Sequence, residues 1–226
     1  GAALNWFRSY LANCSSQVDI ANELSNPTLM QFGLPQGSVV GPVGYSVYTL
    51  PVGYIANYHN VSHHVYADDT QLYVSFNPKV PGDLDSAITQ LQNCISDIKN
   101  WMTANKLKLN DSKTEFFIAA SQFNHKHHIP SNITLSIGNE SIKPSKTIRN
   151  LGAFFDSEMI MSSHITNVSK TVIFHLRNIG RIRKYIDQST CQHAIRSLIL
   201  SRLDYCNGLL SSLPSTHVIR LQCLQN

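Results

Sequence analysis

The stretch Val65-Tyr66-Ala67-Asp68-Asp69-Thr70-Gln71-Leu72-Tyr73 decides the fold of this 226-residue chain. It lies within two β-prone runs, 63–67 and 70–76, that are separated by only two residues, and this spacing predicts a β-hairpin. Asp68 and Asp69 then lie at its tip, where Asp tolerates the positive φ of a tight turn. Adjacent carboxylates repel each other, so the pair also indicates a shared cation. The stretch by itself leaves open an ordinary turn or part of a metal site.

Segments upstream of this hairpin predict helices and a further hairpin. Residues 4–11 have helical spacing, and residues 17–20 alternate as a strand whose hairpin partner is residues 27–32. A Gly/Pro-bounded loop, 33–37, precedes a helix towards Tyr58, with Ser38 as a plausible N-cap. Gly44, Pro51 and Gly53 are expected to weaken that helix or to break it.

Downstream segments predict a mixed body and then a helical module. Apolar residues over 83–104 recur at helical spacing. Strands are predicted at 114–119 and 147–155, with a hairpin of 133–137 and 141–143 between them. Helices are predicted at 162–182, 188–203 and 215–226. The fold class is therefore α+β up to about residue 157, followed by an all-α region.

Charge is distributed unevenly along the chain, whose formal net charge is +4. Eight Lys or Arg and two acidic residues lie between residue 160 and the end, so this part carries +6 and the preceding part −2. A basic helical region indicates contact with a phosphate backbone, and a solvated basic helix face is the equally weighted alternative.

Cysteine and histidine spacings do not suggest a metal cluster. The five cysteines show no Cys-x-x-Cys pair, which favours reduced intracellular thiols. His125, His127 and His128 lie in a polar stretch that we interpret as a surface loop. No apolar run approaches the roughly 20 residues that cross a bilayer, so no membrane partner is expected.

Five blocks resemble, in order, those of the reverse transcriptases of non-LTR (LINE-type) retrotransposons. They are residues 33–42 (GLPQGSVVGP), 65–73 (VYADDTQLY), 101–115 (WMTANKLKLNDSKTE), 148–156 (IRNLGAFFD) and 201–207 (SRLDYCN). A maturase-like splicing factor or a telomerase relative shares such a palm, but the third and fifth blocks favour the LINE lineage.

The resemblance implies RNA-directed DNA synthesis, with an RNA template, a DNA primer and dNTPs as partners. A primer 3′-hydroxyl attacks the α-phosphorus of a dNTP, and two Mg²⁺ ions are held by carboxylates. Asp68 and Asp69 would be the catalytic metal ligands. Lys113 would lie near the triphosphate and assist the leaving pyrophosphate, and a solvated lysine at the entrance of a strand is the alternative.

The same resemblance implies the residues that bind nucleotide and duplex. Pro35, Gln36 and Gly37 would face the incoming nucleotide. Contacts with primer and duplex are predicted for the 148–156 block and for basic residues of the helical region: Leu151, Gly152, Lys170, Arg177, Arg181, Arg183 and Lys184. Action in the nucleus follows from the family alone.

One departure from the family pattern limits these expectations. The family has an earlier block with a further catalytic Asp, whereas only Asp19 precedes the 33–42 loop here, in a segment that resembles a later hairpin. We therefore expect a partial palm at 1–157, an antiparallel sheet with packed helices, and a thumb at 158–226 truncated at its C-terminus. One carboxylate strand of the Mg²⁺ site would be missing, and the upstream part of the polymerase would be a partner.

That departure leaves two hypotheses open. The chain is expected to be a fragment that is inactive alone, or a catalytically dead relic that at most binds nucleic acid through its basic C-terminal third. Gly44, at a position where the family has a bulkier residue, suits a decaying copy.

Overall fold

The computed structural model describes residues 1–34, 37–121, 123–124, 128–130, 132–138, 140–210 and 213–226. The chain divides into two compact units, Gly1–Asp111 and Ser112–Asn226. Helices and antiparallel strands occur together, which agrees with the predicted α+β class. Among the described residues the strands form five separate pairs rather than one sheet. The division into palm and thumb at residue 157 stays a prediction.

The first unit begins with a helix and two short hairpins. Helix α1 (Ala2–Leu11) is followed by β1 (Ser15–Ser16), β2 (Asp19–Ile20), β3 (Glu23–Leu24) and β4 (Thr28–Leu29). Strand β2 pairs with β3, and β1 pairs with β4 around them. The predicted pairing of 17–20 with 27–32 was therefore wrong, because Ala21 and Asn22 turn the chain back at once with positive φ.

The core of the first unit lies between two long helices and one hairpin. These are α2 (Gly41–Tyr58), α3 (Asp83–Ala104), β5 (Ser62–Tyr66) and β6 (Asp69–Tyr73). The buried side chains belong to the two helices and to the residue directly before β5: Val52, Ala56, Val61, Cys94 and Ile98. Leu72 and Val74, on and just after β6, pack against them. Burying apolar area in this way contributes about 25 cal/mol per Å² removed from water.

Helix α2 is continuous, so the expected break is absent. Pro51 lies inside it. Gly53 allows a close approach, because a Cβ there would lie 2.7 Å from His63 Nε2. A Cβ at Gly44 would lie 3.1 Å from Leu34 Cδ1. Both glycines thus accommodate neighbouring side chains.

The second unit begins with strands that differ from the predictions. The expected strand 114–119 was wrong, because its pairing with other described residues is limited to an isolated bridge between Phe116 and Pro144. The hairpin of β7 (Leu135–Ile137) and β8 (Glu140–Ile142) confirms the predicted one. The predicted strand 147–155 is instead a hairpin of β9 (Thr147–Asn150) and β10 (Ala153–Asp156), because Leu151 and Gly152 both have positive φ.

From Ser162 onward the described residues form helices and turns. Helix α4 (Ser162–Ile182) leads through a 3₁₀ turn (Arg183–Tyr185) to α5 (Gln188–Ile195), which continues through a π-helical segment (Arg196–Leu200) into α6 (Ser201–Asp204). A 3₁₀ turn (Asn207–Leu210) and α7 (Ser215–Gln225) follow. Val172, Ile179, Cys191 and Ile199 form their buried centre. Within the described ranges no helix is long and apolar enough to cross a membrane.

Candidate functional site

The turn between β5 and β6 carries the predicted acidic pair in a strained backbone. Tyr66 pairs with Asp69, so Ala67 and Asp68 are the two central residues and Asp69 is the first residue of β6. Ala67 has φ 54°, whereas Asp68 does not have positive φ. The prediction that the turn centres on Asp68-Asp69 was therefore shifted by one residue. A left-handed Ala costs about 1–2 kcal/mol, so the surrounding contacts must hold this turn.

Contacts with α2 and α3 fix the base of this hairpin. His63 on β5 lies against Gly53 of α2. Gln90 Nε2, on α3, donates to the carbonyl oxygens of His59 and Asn60 at 2.7 and 3.0 Å, in the connection from α2 to β5. The hairpin tip projects from this base, and all residues from His64 to Thr70 are exposed.

Electrostatics connect α2 with the acidic turn. Burial raises the pKa of Tyr45, and the negative charge of Asp68 raises it further. The Tyr45 side chain on α2 is therefore close enough to the Asp68 carboxylate for the two groups to interact electrostatically. Spacing in the sequence did not single out Tyr45, because α2 and the turn meet only in the folded chain.

The carboxylates of Asp68 and Asp69 are the type of ligand that Mg²⁺ prefers, but two carboxylates are too few for a two-metal site. Carboxylate oxygens are the ligands that this hard cation takes, and exposed carboxylates leave room for its water ligands. Across the described ranges no group of three His, Cys, Asp or Glu side chains could hold a metal ion. A two-metal site therefore needs further ligands beyond Asp68 and Asp69.

The loop before α2 is the predicted nucleotide-binding segment. Pro35 and Gln36 lie outside the described residues. Gly37 is exposed with φ 82°, a conformation that glycine adopts without strain. Ser38 Oγ accepts a hydrogen bond from the Gly41 N–H at 2.9 Å and contacts the hydroxyl of Tyr10. Ser38 thus secures the start of α2, although Val40 occupies the N-cap position.

Three predicted residues lie on turns of the second unit. Lys113 is exposed at the end of a 3₁₀ turn, and its role near the triphosphate stays a prediction. Leu151 and Gly152 are the central residues of the β9–β10 turn, with φ 45° and 89°. Leu151 is 43% exposed. The hydroxyl of Tyr205 donates a hydrogen bond to the carbonyl oxygen of Leu151.

The predicted basic residues form a stripe on helix α4. Lys170, Arg177 and Arg181 are exposed and are separated by seven and four positions, so they share one helix face about 16 Å long. Within the described part of the chain none of the three forms a salt bridge. We call these three residues the basic stripe. An exposed Phe174 lies within it.

Two more predicted cations follow the basic stripe. Arg183 and Lys184 are exposed in the 3₁₀ turn after α4. Arg183 Nη1 donates to the carbonyl oxygen of Ile186 at 3.1 Å, and Lys184 Nζ lies 4.8 Å from the ring centre of Tyr185. Arg183 also faces Asp187, whose pKa is lowered chiefly by hydrogen bonds from Thr190 and slightly by Arg183. Among the described residues, Arg183 and Lys184 therefore make more contacts within the protein than the three cations of the basic stripe.

Comparisons with known proteins identify the family. Residues 2–172 match the model of the reverse transcriptase (RNA-dependent DNA polymerase) family. A 112-residue segment is 34% identical to the probable RNA-directed DNA polymerase from transposon BS of Drosophila melanogaster. No solved structure matches the chain.

The matched family consists of RNA-dependent DNA polymerases, a class of nucleotidyl-transfer enzymes. The chain belongs to the reverse transcriptase family, as its five sequence blocks predicted. The match with the Drosophila protein covers 47% of this chain and 12% of that relative's length.

Proposed function

We propose that this chain is part of an RNA-directed DNA polymerase of a retrotransposon, which adds dNTPs to a primer on an RNA template. This proposal rests on the Asp68–Asp69 pair in a chain of the reverse transcriptase family. The pair is exposed at the tip of a hairpin whose base contacts helices α2 and α3. Family membership supports RNA-directed DNA synthesis as the class of reaction. The exposed carboxylates are the groups that would bind its metal ions.

In this proposal Asp68 and Asp69 are the catalytic carboxylates and ligands of Mg²⁺. When bound, Mg²⁺ activates the attacking hydroxyl and stabilises charge on the transferred phosphate. The remaining carboxylate strand comes from the upstream part of the polymerase, so the 226-residue chain polymerises poorly or not at all alone.

Substrate contacts in this proposal lie on both units. Pro35, Gln36 and Gly37 face the incoming nucleotide, and Lys113 assists the leaving pyrophosphate. Leu151 and Gly152 contact the primer. The cations of α4 and the following turn hold the template–primer duplex, and the parent protein acts in the nucleus.

A catalytically dead relic that binds nucleic acid is the second candidate function. It is favoured by the exposed basic stripe of Lys170, Arg177 and Arg181, which can bind a phosphate backbone without a catalytic metal. In that case the cations of α4 retain phosphate binding, while the acidic turn binds no catalytic metal.

Primer extension separates the two candidates. We expect the chain, joined to its upstream sequence, to extend a primer on poly(rA), and Asp68→Asn to lower the rate at least about a hundredfold. Asp85→Asn, at an exposed carboxylate in the first turn of α3, removes the same charge away from the site and is the matched control. No extension by the joined chain, together with salt-sensitive duplex binding, would overturn the enzyme and support the relic.

A further inference from the structure

The β9–β10 turn has a conformation that its first residue does not favour. Leu151 and Gly152 both have positive φ, which is the pattern of a type I′ hairpin turn. Asn, Asp and Gly are the residues that occupy the first position of such turns without strain, and Leu is disfavoured there. A left-handed Leu persists only where neighbouring groups hold it.

Burial does not restrain the turn, because the Leu151 side chain is 43% exposed. A hydrogen bond to the Leu151 backbone restrains it instead. The hydroxyl of Tyr205 donates a hydrogen bond to the Leu151 carbonyl oxygen. The Tyr205 ring also covers the next residue, since a Cβ at Gly152 would lie 3.4 Å from Tyr205 Cε1.

Tyr205 is in turn anchored to the helical core. It lies directly after α6, which continues from the π-helical segment that contains Ile199. Ile199 is 2% exposed in the buried centre, and Leu203 packs against the same cluster. After Tyr205 the chain turns at Cys206, which has a left-handed backbone with φ 58°. The ring is thus presented to the turn by a fixed helix end.

We propose that Tyr205 is a positioning residue for primer binding: it holds the Leu151–Gly152 turn in the conformation that presents the exposed Leu151 to the primer end. This inference rests on the proposed function, in which that turn contacts the primer. Strained backbone conformations cluster at sites that contact ligands, and a template–primer end offers sugars and bases that the exposed Leu151 side chain can contact.

The first readout is local and needs no nucleic acid. Tyr205→Phe removes only the hydroxyl, so amide hydrogen exchange of a peptide covering residues 147–156 rises about three- to tenfold, as the loss of one hydrogen bond implies. In a Leu151→Asn background the same change has a smaller effect, because Asn adopts positive φ unaided. Tyr185→Phe, at a 76% exposed tyrosine of the same unit, is the matched control and leaves this peptide unchanged.

The second readout is the preference for a primer end, which a purely structural role would not alter selectively. Fluorescence anisotropy compares a template–primer with a recessed 3′ end against a blunt duplex of equal length. The wild-type chain binds the recessed duplex more tightly, and Tyr205→Phe lowers that preference about three- to tenfold with blunt binding unchanged, because fewer molecules hold the competent turn.

The outcomes distinguish the two proposals. If Tyr205→Phe changes neither the amide exchange of residues 147–156 nor the preference for the recessed duplex, the role of Tyr205 is overturned. A preference of the wild-type chain for the recessed duplex would still uphold the proposed function in that case. Equal binding of both duplexes by the wild-type chain would overturn primer contact by this turn. Equal loss of affinity for both duplexes in Tyr205→Phe would show a structural role only and would also overturn the inference.

Discussion

Gly53 acts through the space that it leaves for another residue. Its missing side chain allows the His63 ring to lie against α2, where a Cβ would be only 2.7 Å from Nε2. Glycine inside a helix costs roughly 0.5–1 kcal/mol relative to Ala, so this position gives up helix stability for close packing of helix and hairpin.

Substituting Gly53 tests that interpretation. We expect Gly53→Ala to destabilise the chain, because His63 must leave its position, although Ala favours the helix. In a His63→Ala background the same substitution becomes stabilising by up to about 1 kcal/mol, because only the helix propensity remains. Urea unfolding of the four variants measures both effects. Equal effects in the two backgrounds would contradict the proposed contact.

His164 gives the second unit a dependence on acid. It is 3% exposed, and burial lowers its pKa from the ordinary value of 6.5. Its Nδ1 accepts a hydrogen bond from the Phe154 N–H at 3.4 Å, which requires a neutral ring at that atom. Among the described residues, the lining of the same small cavity includes Arg202 and no acidic side chain, so no negative charge there compensates a proton on His164.

The sign of the pH effect follows from these facts. The unfolded chain binds a proton on His164 at higher pH than the folded chain does, so stability falls as pH drops below about 6.5. We expect a loss of up to about 1.4 kcal/mol for each pH unit between the two pKa values. Thermal unfolding at pH 7.5 and 5.0 should show a smaller loss in His164→Gln than in the wild type. An identical loss would show that other groups cause it.

Residue-level roles were predictable only where a motif carried them. The acidic pair at 68 and 69 and the turn at 151 and 152 belong to recognisable blocks. The contacts of Tyr45, His63 and Tyr205 join different elements of the fold, so no local pattern predicted them, although Tyr205 lies in the recognised 201–207 block. Tyr205 and Leu151 are 54 positions apart.

At the level of elements, hydrophobic periodicity predicted the long helices correctly, whereas some of the predicted strand pairings were wrong. Helix α3 and helix α4 match their predicted bounds, because each shows one apolar face over many turns. Short β-prone runs do not specify a partner. The segment 114–119 buries Phe116 and Ile118, yet among the described residues it pairs only through an isolated bridge.

Helix α2 offers a test of proline at two positions of one element. Pro42 lies in the first turn, where its missing N–H costs nothing, whereas Pro51 removes a hydrogen bond in the interior. We expect Pro51→Ala to raise the free energy of unfolding by up to about 3 kcal/mol and Pro42→Ala to change it little. Chemical denaturation compares the two. Similar effects at both positions would contradict the continuous helix.

At the level of the whole molecule, the two compact units have different electrostatic character. The acidic turn is exposed in the first unit, and the basic stripe is exposed in the second. The +6 charge from residue 160 onward predicts that nucleic-acid binding weakens with salt, because bound cations release counterions from the phosphates.

Salt dependence measures how many cations contact phosphate. Replacing Lys170, Arg177 and Arg181 by Gln should flatten the plot of log affinity for duplex against log salt by about 2 to 3 in slope. A triple variant of exposed lysines outside α4, Lys79, Lys143 and Lys146 to Gln, changes net charge equally and should leave the slope close to wild type. Equal slopes for both triple variants would contradict a specific stripe.

The sequence by itself determined the acidic hairpin, the amphipathic helices and the family, because these depend on local propensity, on periodicity and on short blocks of adjacent residues. Only the tertiary structure decided that Asp68 is a central turn residue and Asp69 the start of a strand, that Gly53 makes room for His63, and that Tyr205 bonds to the turn at Leu151. Contacts of this kind depend on how distant segments pack, and packing is set by the shapes of all the side chains in a core together.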